Sequence, residues 1–179
     1  SCLVDAMQRA GEAKLVCGDM YVMDEAGRVV ADSIAAVRPY QRLYRGGDPF
    51  RRLIAHNFVT GCTLLAERRF AQAALPFPKE YMYDWWLGFH AAAQGGLVTV
   101  SAPLIRYRIH GDNQTGPLLD IGTKRDYYER RILLFETRMQ LLRRFFRDTR
   151  YGAFIEECCA FAACRSAYQR QWRAGGMID

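Results

Sequence analysis

The stretch KLVCGDMYVM, Lys14 to Met23, decides the fold class. Leu15, Val16, Cys17, Met20, Tyr21, Val22 and Met23 make it an apolar run of strand length. Asp24-Glu25-Ala26-Gly27 follows as a turn, and Arg28 to Ala31 predicts a short returning strand. Before it, Ser1 to Ala10 reads as the end of a helix stopped by Gly11. Helix and strand signals therefore alternate from the start, which points to an α/β class.

Further along, Asp48-Pro49 opens a helix to about His56, with the Asp as cap and the Pro at the first position. Phe58 to Ala66 is a second apolar stretch, broken by Thr60-Gly61-Cys62. Glu67 to Ala73 predicts a turn or two of helix. Leu75-Pro76-Phe77-Pro78 excludes helix, because proline lacks a donor and restricts the residue before it. Asp84 then caps a helix through Trp85, Trp86, Leu87, Phe89 and Ala93, ended by Gly95-Gly96. Leu97 to Val100 and Leu104 to His110 predict two strands, and Gly111 to Gly116 a polar loop. Beyond Leu118, Ile132, Leu133, Phe135, Met139, Leu142, Phe145 and Phe146 recur at helical spacing, and a second helix runs from about Tyr151 to Trp172. The organisation expected is an α/β part over 1–116 and a helical hairpin within 117–179.

The chain has 179 residues, the size of one ordinary domain, half of them apolar and a quarter charged. That usage argues against disorder. No run approaches the roughly 18 apolar residues of a membrane span, and Ser1 to Ala10 show no secretory signal. The formal net charge is +6, and apart from Lys14, Lys79 and Lys124 every cation is an arginine. Arginine suits bidentate contacts to phosphate and carboxylate, so nucleic acid, anionic lipid and phosphorylated small substrates all fit the charge. No nucleic-acid motif accompanies it, which makes a nucleic-acid partner the weakest of these. The six cysteines form no CxxC pair, and Cys158, Cys159 and Cys164 sit in an apolar helical run. They read as small buried thiols in a reducing compartment rather than as zinc ligands.

Three constellations carry chemistry. In Tyr83-Asp84-Trp85-Trp86 a carboxylate stands at a helix start beside two large aromatics. It reads either as a general base beside a dry wall or sugar platform, or as a helix cap followed by two core tryptophans. In Arg106-Tyr107-Arg108-Ile109-His110, strand alternation puts Arg106, Arg108 and His110 on one face and Ile105, Tyr107 and Ile109 on the core face. The basic face is either an anion or metal-phosphate site or a solvated edge. In Asn57 to Thr63, Gly61 allows close backbone approach to a ligand or marks a bend. Asp19 and Asp24 read as a strand end and a turn, not as a metal-binding pair.

Taken in order, AKLVCGDMYVMDEAG, HNFVTGCTLLAERRF, LPFP, YDWWLGFHAAAQGG and APLIRYRIHGDNQTG resemble the second half of a family 2 glycosyltransferase. The likeness is to the bacterial rhamnosyltransferase-like members that build surface polysaccharides, and it spans about residues 14–116. It implies part of a GT-A (Rossmann-like) domain, a nucleotide-sugar donor, a divalent metal (manganese or magnesium) and inverting transfer to a hydroxyl of a carbohydrate or lipid-linked acceptor. It implies Asp84 as catalytic base, His110 as metal ligand and Arg108 near the donor diphosphate. Thr60, Gly61 and Cys62 would line the donor and acceptor cleft. Arg106 and Asn113 would join the donor and acceptor contacts, and Gly111 to Gly116 would be the closing loop. Trp85 and Trp86 would support Asp84 or stack on a sugar.

The family's opening strand, base-reading loop and Asp-x-Asp signature have no counterpart here, so the resemblance implies a fragment, with weak or no activity alone and a sheet edge open to a partner strand. A non-catalytic remnant or carbohydrate-binding module is the alternative. Arg130, Arg131, Arg138, Arg143, Arg144, Arg147 and Arg150 stand against Glu136 and Asp148. Interleaved with Leu and Phe, they read as a basic amphipathic helix, either lying on anionic membrane or as a solvated face. The location implied is cytoplasmic, with peripheral contact at the inner face of the membrane through 130–150.

Overall fold

The computed structural model describes residues 2–43, 46–111 and 122–174, in two compact units over 1–113 and 114–179. The first unit is α/β. Strand β1 (Leu15–Met23) is the centre of a four-stranded mixed sheet. Strand β4 (Leu97–Arg108) runs parallel along one edge of β1, from Leu15 opposite Leu97 to Met23 opposite Arg108. The other edge is shared. Strand β3 (Leu64–Ala66) lies antiparallel beside Leu15 to Cys17, and β2 (Val29–Ala31) lies antiparallel beside Val22 and Met23. With both edges paired, β1 keeps Leu15, Val16, Cys17, Met20 and Val22 almost wholly buried, as its apolar sequence requires.

The two strands expected over 97–110 are one. Gly18 faces Val100, Asp19 faces Pro103 and Met20 faces Ile105, so extra residues of β4 loop out between Val100 and Ile105. A bulge of this kind tolerates Pro103, whose missing donor would break a regular ladder. Leu104 folds over the bulge onto Gly18, where any Cβ would overlap its side chain. Beyond the bulge the expected alternation holds. Ile105, Tyr107 and Ile109 pack against Met20, Val22 and Ile34, while Arg106, Arg108 and His110 are exposed.

Helix α1 (Cys2–Ala10) packs on the sheet, with Ala6 against Ala13 and Val16, and Leu3, Met7, Val98 and Val100 closing the cluster. Asp19 is not a strand end. It lies in the middle of β1, and its carboxylate accepts from Ser33 Oγ (2.6 Å) and Ile34 N (3.2 Å). Those bonds anchor the short helix α2 (Ile34–Val37). Asp24 does sit in the turn, where it accepts from Arg28 N and Nε.

Helix α3 (Pro49–Ala55) begins as expected: Asp48 Oδ1 accepts from Phe50 N (2.9 Å) and Arg51 N (3.2 Å). A 3₁₀ turn (Gly61–Thr63) leads into β3, and α4 (Arg68–Ala73) follows. Helix α5 (Tyr83–Ala93) carries the heart of the core. Trp86 and Phe89 are fully buried, Phe89 meets Phe50 edge-on at 5.1 Å, and Leu53, Phe58 and Val59 close the cluster.

The second unit is a helical hairpin that begins earlier than Ile132. Helix α6 (Lys124–Tyr127) continues through a π-helical segment (Tyr128–Leu133) into α7 (Leu134–Phe146), and α8 (Gly152–Ala174) returns. The pairings are antiparallel. Arg143 meets Glu156 at 3.6 Å, and Cys159 Sγ donates to Met139 O at 3.4 Å. Its core holds Ile132, Met139, Leu142, Phe146, Tyr151 and Ile155. The six cysteines are free. Cys17 and Cys159 are buried and Cys158 is half-buried, but the buried-thiol expectation fails for Cys2, Cys62 and, in the hairpin, Cys164, which are exposed. Helical rotation puts Cys164 off the stripe that Ile155, Cys159 and Ala162 bury. Among the described residues no helix is long and apolar enough to cross a membrane.

Candidate active site

The first turn of α5 holds a buried carboxylate, Asp84. Met82 occupies the cap position, so Asp84 is not the cap that its place before the tryptophans suggests. Its side chain turns to the 57–61 loop instead. Oδ1 accepts from Asn57 Nδ2 (3.0 Å) and Trp85 N (2.6 Å), and Oδ2 accepts from Gly61 N (2.9 Å). Asn57 Oδ1 accepts from Val59 N (3.0 Å), which fixes the loop that supplies two of those donors. Oδ1 thus carries two of these bonds and Oδ2 one.

Asp84 is only 4% exposed. Burial pushes its pKa above the ordinary carboxylate range, and the bonds from Gly61, Trp85 and Asn57 offset only part of the shift. Its negative charge reaches groups on three elements. Burial first, and Asp84 second, raise the Cys17 thiol on β1 to about 12. Burial and Asp84 also raise Cys62 in the 3₁₀ turn and Tyr83 on α5. Thr60, Gly61 and Cys62 thus belong with Asp84: Gly61 bonds it, Cys62 shares its field, and Thr60 O closes the turn by accepting from Thr63 N (3.0 Å).

The two tryptophans serve packing. Trp86 is fully buried, and its Nε1 donates to Ala74 O at 3.2 Å. Trp85 is half-buried, donates Nε1 to Leu53 O at 2.8 Å and stacks on Phe89 at 6.4 Å. Both hold α5 in place, and neither is the open aromatic surface beside Asp84. That surface is Tyr83 with Phe77, which the sequence did not single out. Aromatic type does not reveal exposure; the one available signal was LPFP, whose prolines keep Phe77 out of a helix.

The basic strand end is a separate group. Arg108 Nη1 donates to Glu25 O (2.5 Å) and Asp24 O (3.5 Å), and Gly111 N donates to Glu25 Oε1 (3.3 Å). Arg108 therefore clasps the β1–β2 turn. It pairs with Met23, six residues along β1 from Cys17, which is about 20 Å of strand from the Asp84 surroundings. Arg106 and His110 are exposed on the same strand end. Asn113 and the rest of the loop to Gly116 lie outside the described residues. Among the described residues, no group of three or more His, Cys, Asp or Glu side chains comes together to hold a metal ion.

On the hairpin, Arg143 pairs with Glu156 and Arg147 with Asp148, while the Arg144 guanidinium lies 5.7 Å from the Phe145 ring. Compared with known proteins, the chain matches no family model, and no curated protein or solved structure matches it.

Proposed function

We propose that the chain carries the acceptor side of an inverting glycosyltransferase of the GT-A type, with Asp84 as its general base. The observation that supports this reading is the arrangement at Asp84: a buried carboxylate with a raised pKa whose plane is fixed by donors from Asn57, Trp85 and Gly61. A sugar hydroxyl is a poor nucleophile until its proton is taken as it attacks. In this reading the acceptor hydroxyl donates to Oδ2. Its oxygen forms the new bond to the anomeric carbon of a nucleotide-sugar as the bond to the diphosphate breaks. The proton passes to Asp84, which burial makes a better proton acceptor than a free aspartate. A divalent cation is the usual partner of a leaving diphosphate. The described residues form no site for one, and no step here runs through it.

The second reading, a carbohydrate-binding module without turnover, draws on the same site, because Asp84 has so little open surface. One experiment separates them. The chain and Asp84→Asn are incubated with UDP-, dTDP- and GDP-sugars and soluble saccharide acceptors, with and without Mn²⁺. Slow, acceptor-dependent release of a nucleoside diphosphate is expected, reduced about 10²- to 10⁴-fold in the variant. Equal release by both proteins, with the variant natively folded, would overturn the base assignment. Saccharide binding without release would favour the module.

A further inference from the structure

Resting on that reading of Asp84, we infer that the exposed Phe77–Tyr83 ring pair is the acceptor platform of the same site, and that it takes one pyranose ring by its C–H face. Tyr83 is 47% exposed and Phe77 39%, well above the other aromatics near α5. Their ring centroids lie 6.3 Å apart with the planes tilted by 38°, so the rings form a shallow V rather than closing on each other. Aromatic faces left open in this way suit a flat, partly apolar ligand.

The platform is tied to the carboxylate by geometry as well as by sequence. The Tyr83 hydroxyl rests on Gly61, where any Cβ would overlap it. The N–H of that same Gly61 holds Asp84 Oδ2 at 2.9 Å. A ligand lying on Tyr83 therefore sits beside the Gly61 turn that binds Asp84. Pyranose rings combine an apolar C–H face with a rim of hydroxyls, which matches an aromatic floor beside an acceptor-only carboxylate. The buried negative charge disfavours a diphosphate there and favours a neutral, hydroxyl-rich ligand. That assigns the platform to the acceptor, not to the donor nucleotide.

The test uses methyl pyranosides of glucose, galactose and rhamnose as probes, followed by saturation-transfer NMR and by the ring resonances of Phe77 and Tyr83. The expected result is transfer concentrated on the C–H protons of one sugar face, with both ring signals shifting. Phe77→Ala removes half of the floor. Gly61→Ala forces the Tyr83 ring aside, and no positive φ at that position adds backbone strain. Each should weaken the best pyranoside about tenfold. Asp84→Asn, which keeps the floor but changes one hydroxyl acceptor, should weaken pyranoside binding no more than the platform variants do while reducing turnover about 10²- to 10⁴-fold. Absence of binding by all three probes would overturn the platform, as would undiminished binding in both platform variants with native circular dichroism. Displacement of the pyranoside by a nucleoside alone would assign the rings to the donor base and overturn it too. If turnover still depends on Asp84 while no pyranoside binds, the platform falls and the base assignment stands. If pyranosides bind but Asp84→Asn keeps full turnover, the base assignment falls instead.

Discussion

Asp84 accepts three hydrogen bonds, and its acid still ionises less readily than a free aspartic acid, because burial outweighs the donors. This has a consequence for stability. The folded chain holds the Asp84 proton more tightly than the unfolded chain does. Between the ordinary carboxylate value and the raised one, the folded state therefore binds more protons, and this residue's contribution falls as pH rises. That contribution is complete below the ordinary value and lost above the raised one. Urea unfolding of the chain and of Asp84→Asn across this range should give curves whose difference changes with pH in that direction. Parallel curves would mean that Asp84 is no more buried than an ordinary surface acid. The carboxylate's place at a helix start beside two tryptophans was legible in the sequence. Its partners were not, since a cap is a local bond, whereas Asn57 and Gly61 reach Asp84 across 27 and 23 residues. Likewise Arg108 could be placed on the outer face of its strand by alternation, but not at the carbonyls of Asp24 and Glu25.

Among the elements, those with local causes were readable and those with distant causes were not. Helix α3 follows from Asp48 and Pro49, adjacent residues that set its start. Helix α2 has a local cap, Ser33 Oγ accepting from Ala35 N at 3.2 Å, but at four residues it is too short to show a period, and its anchor Asp19 lies fourteen residues from Ser33. The break expected in β4 at Ser101-Ala102-Pro103 is real as a local irregularity, yet parallel pairing with β1 carries the strand through it as a bulge. Gly18 is the counterpart of that bulge. Gly18→Val should force Leu104 out of its position and destabilise the first unit by about 1–3 kcal/mol, read as a lower urea midpoint. An unchanged midpoint would show that Leu104 has room to move, and that the bulge does not depend on glycine.

At the scale of the whole chain, each of the two units has its own buried core, so damage to one need not reach the other. Leu142 is fully buried in the hairpin. Leu142→Ala should cost about 2–5 kcal/mol there, seen as an earlier loss of helical circular dichroism. The indole N–H resonances of Trp85 and Trp86, both bonded inside the first unit, should stay where they are. Movement of those two signals would show that the units share their stability.

The arrangement of strands around β1 also sets a timetable for synthesis. The central strand is complete once Met23 has been made, but the neighbour that covers its whole second edge ends only at Arg108. At about 5–20 residues per second, a ribosome takes roughly 4 to 17 seconds to cover that interval. For that long, the second edge of this apolar strand is not fully paired. A trigger-type holding chaperone would find its target there, and slower elongation before Arg108 would lengthen the exposure and lower the yield of folded chain.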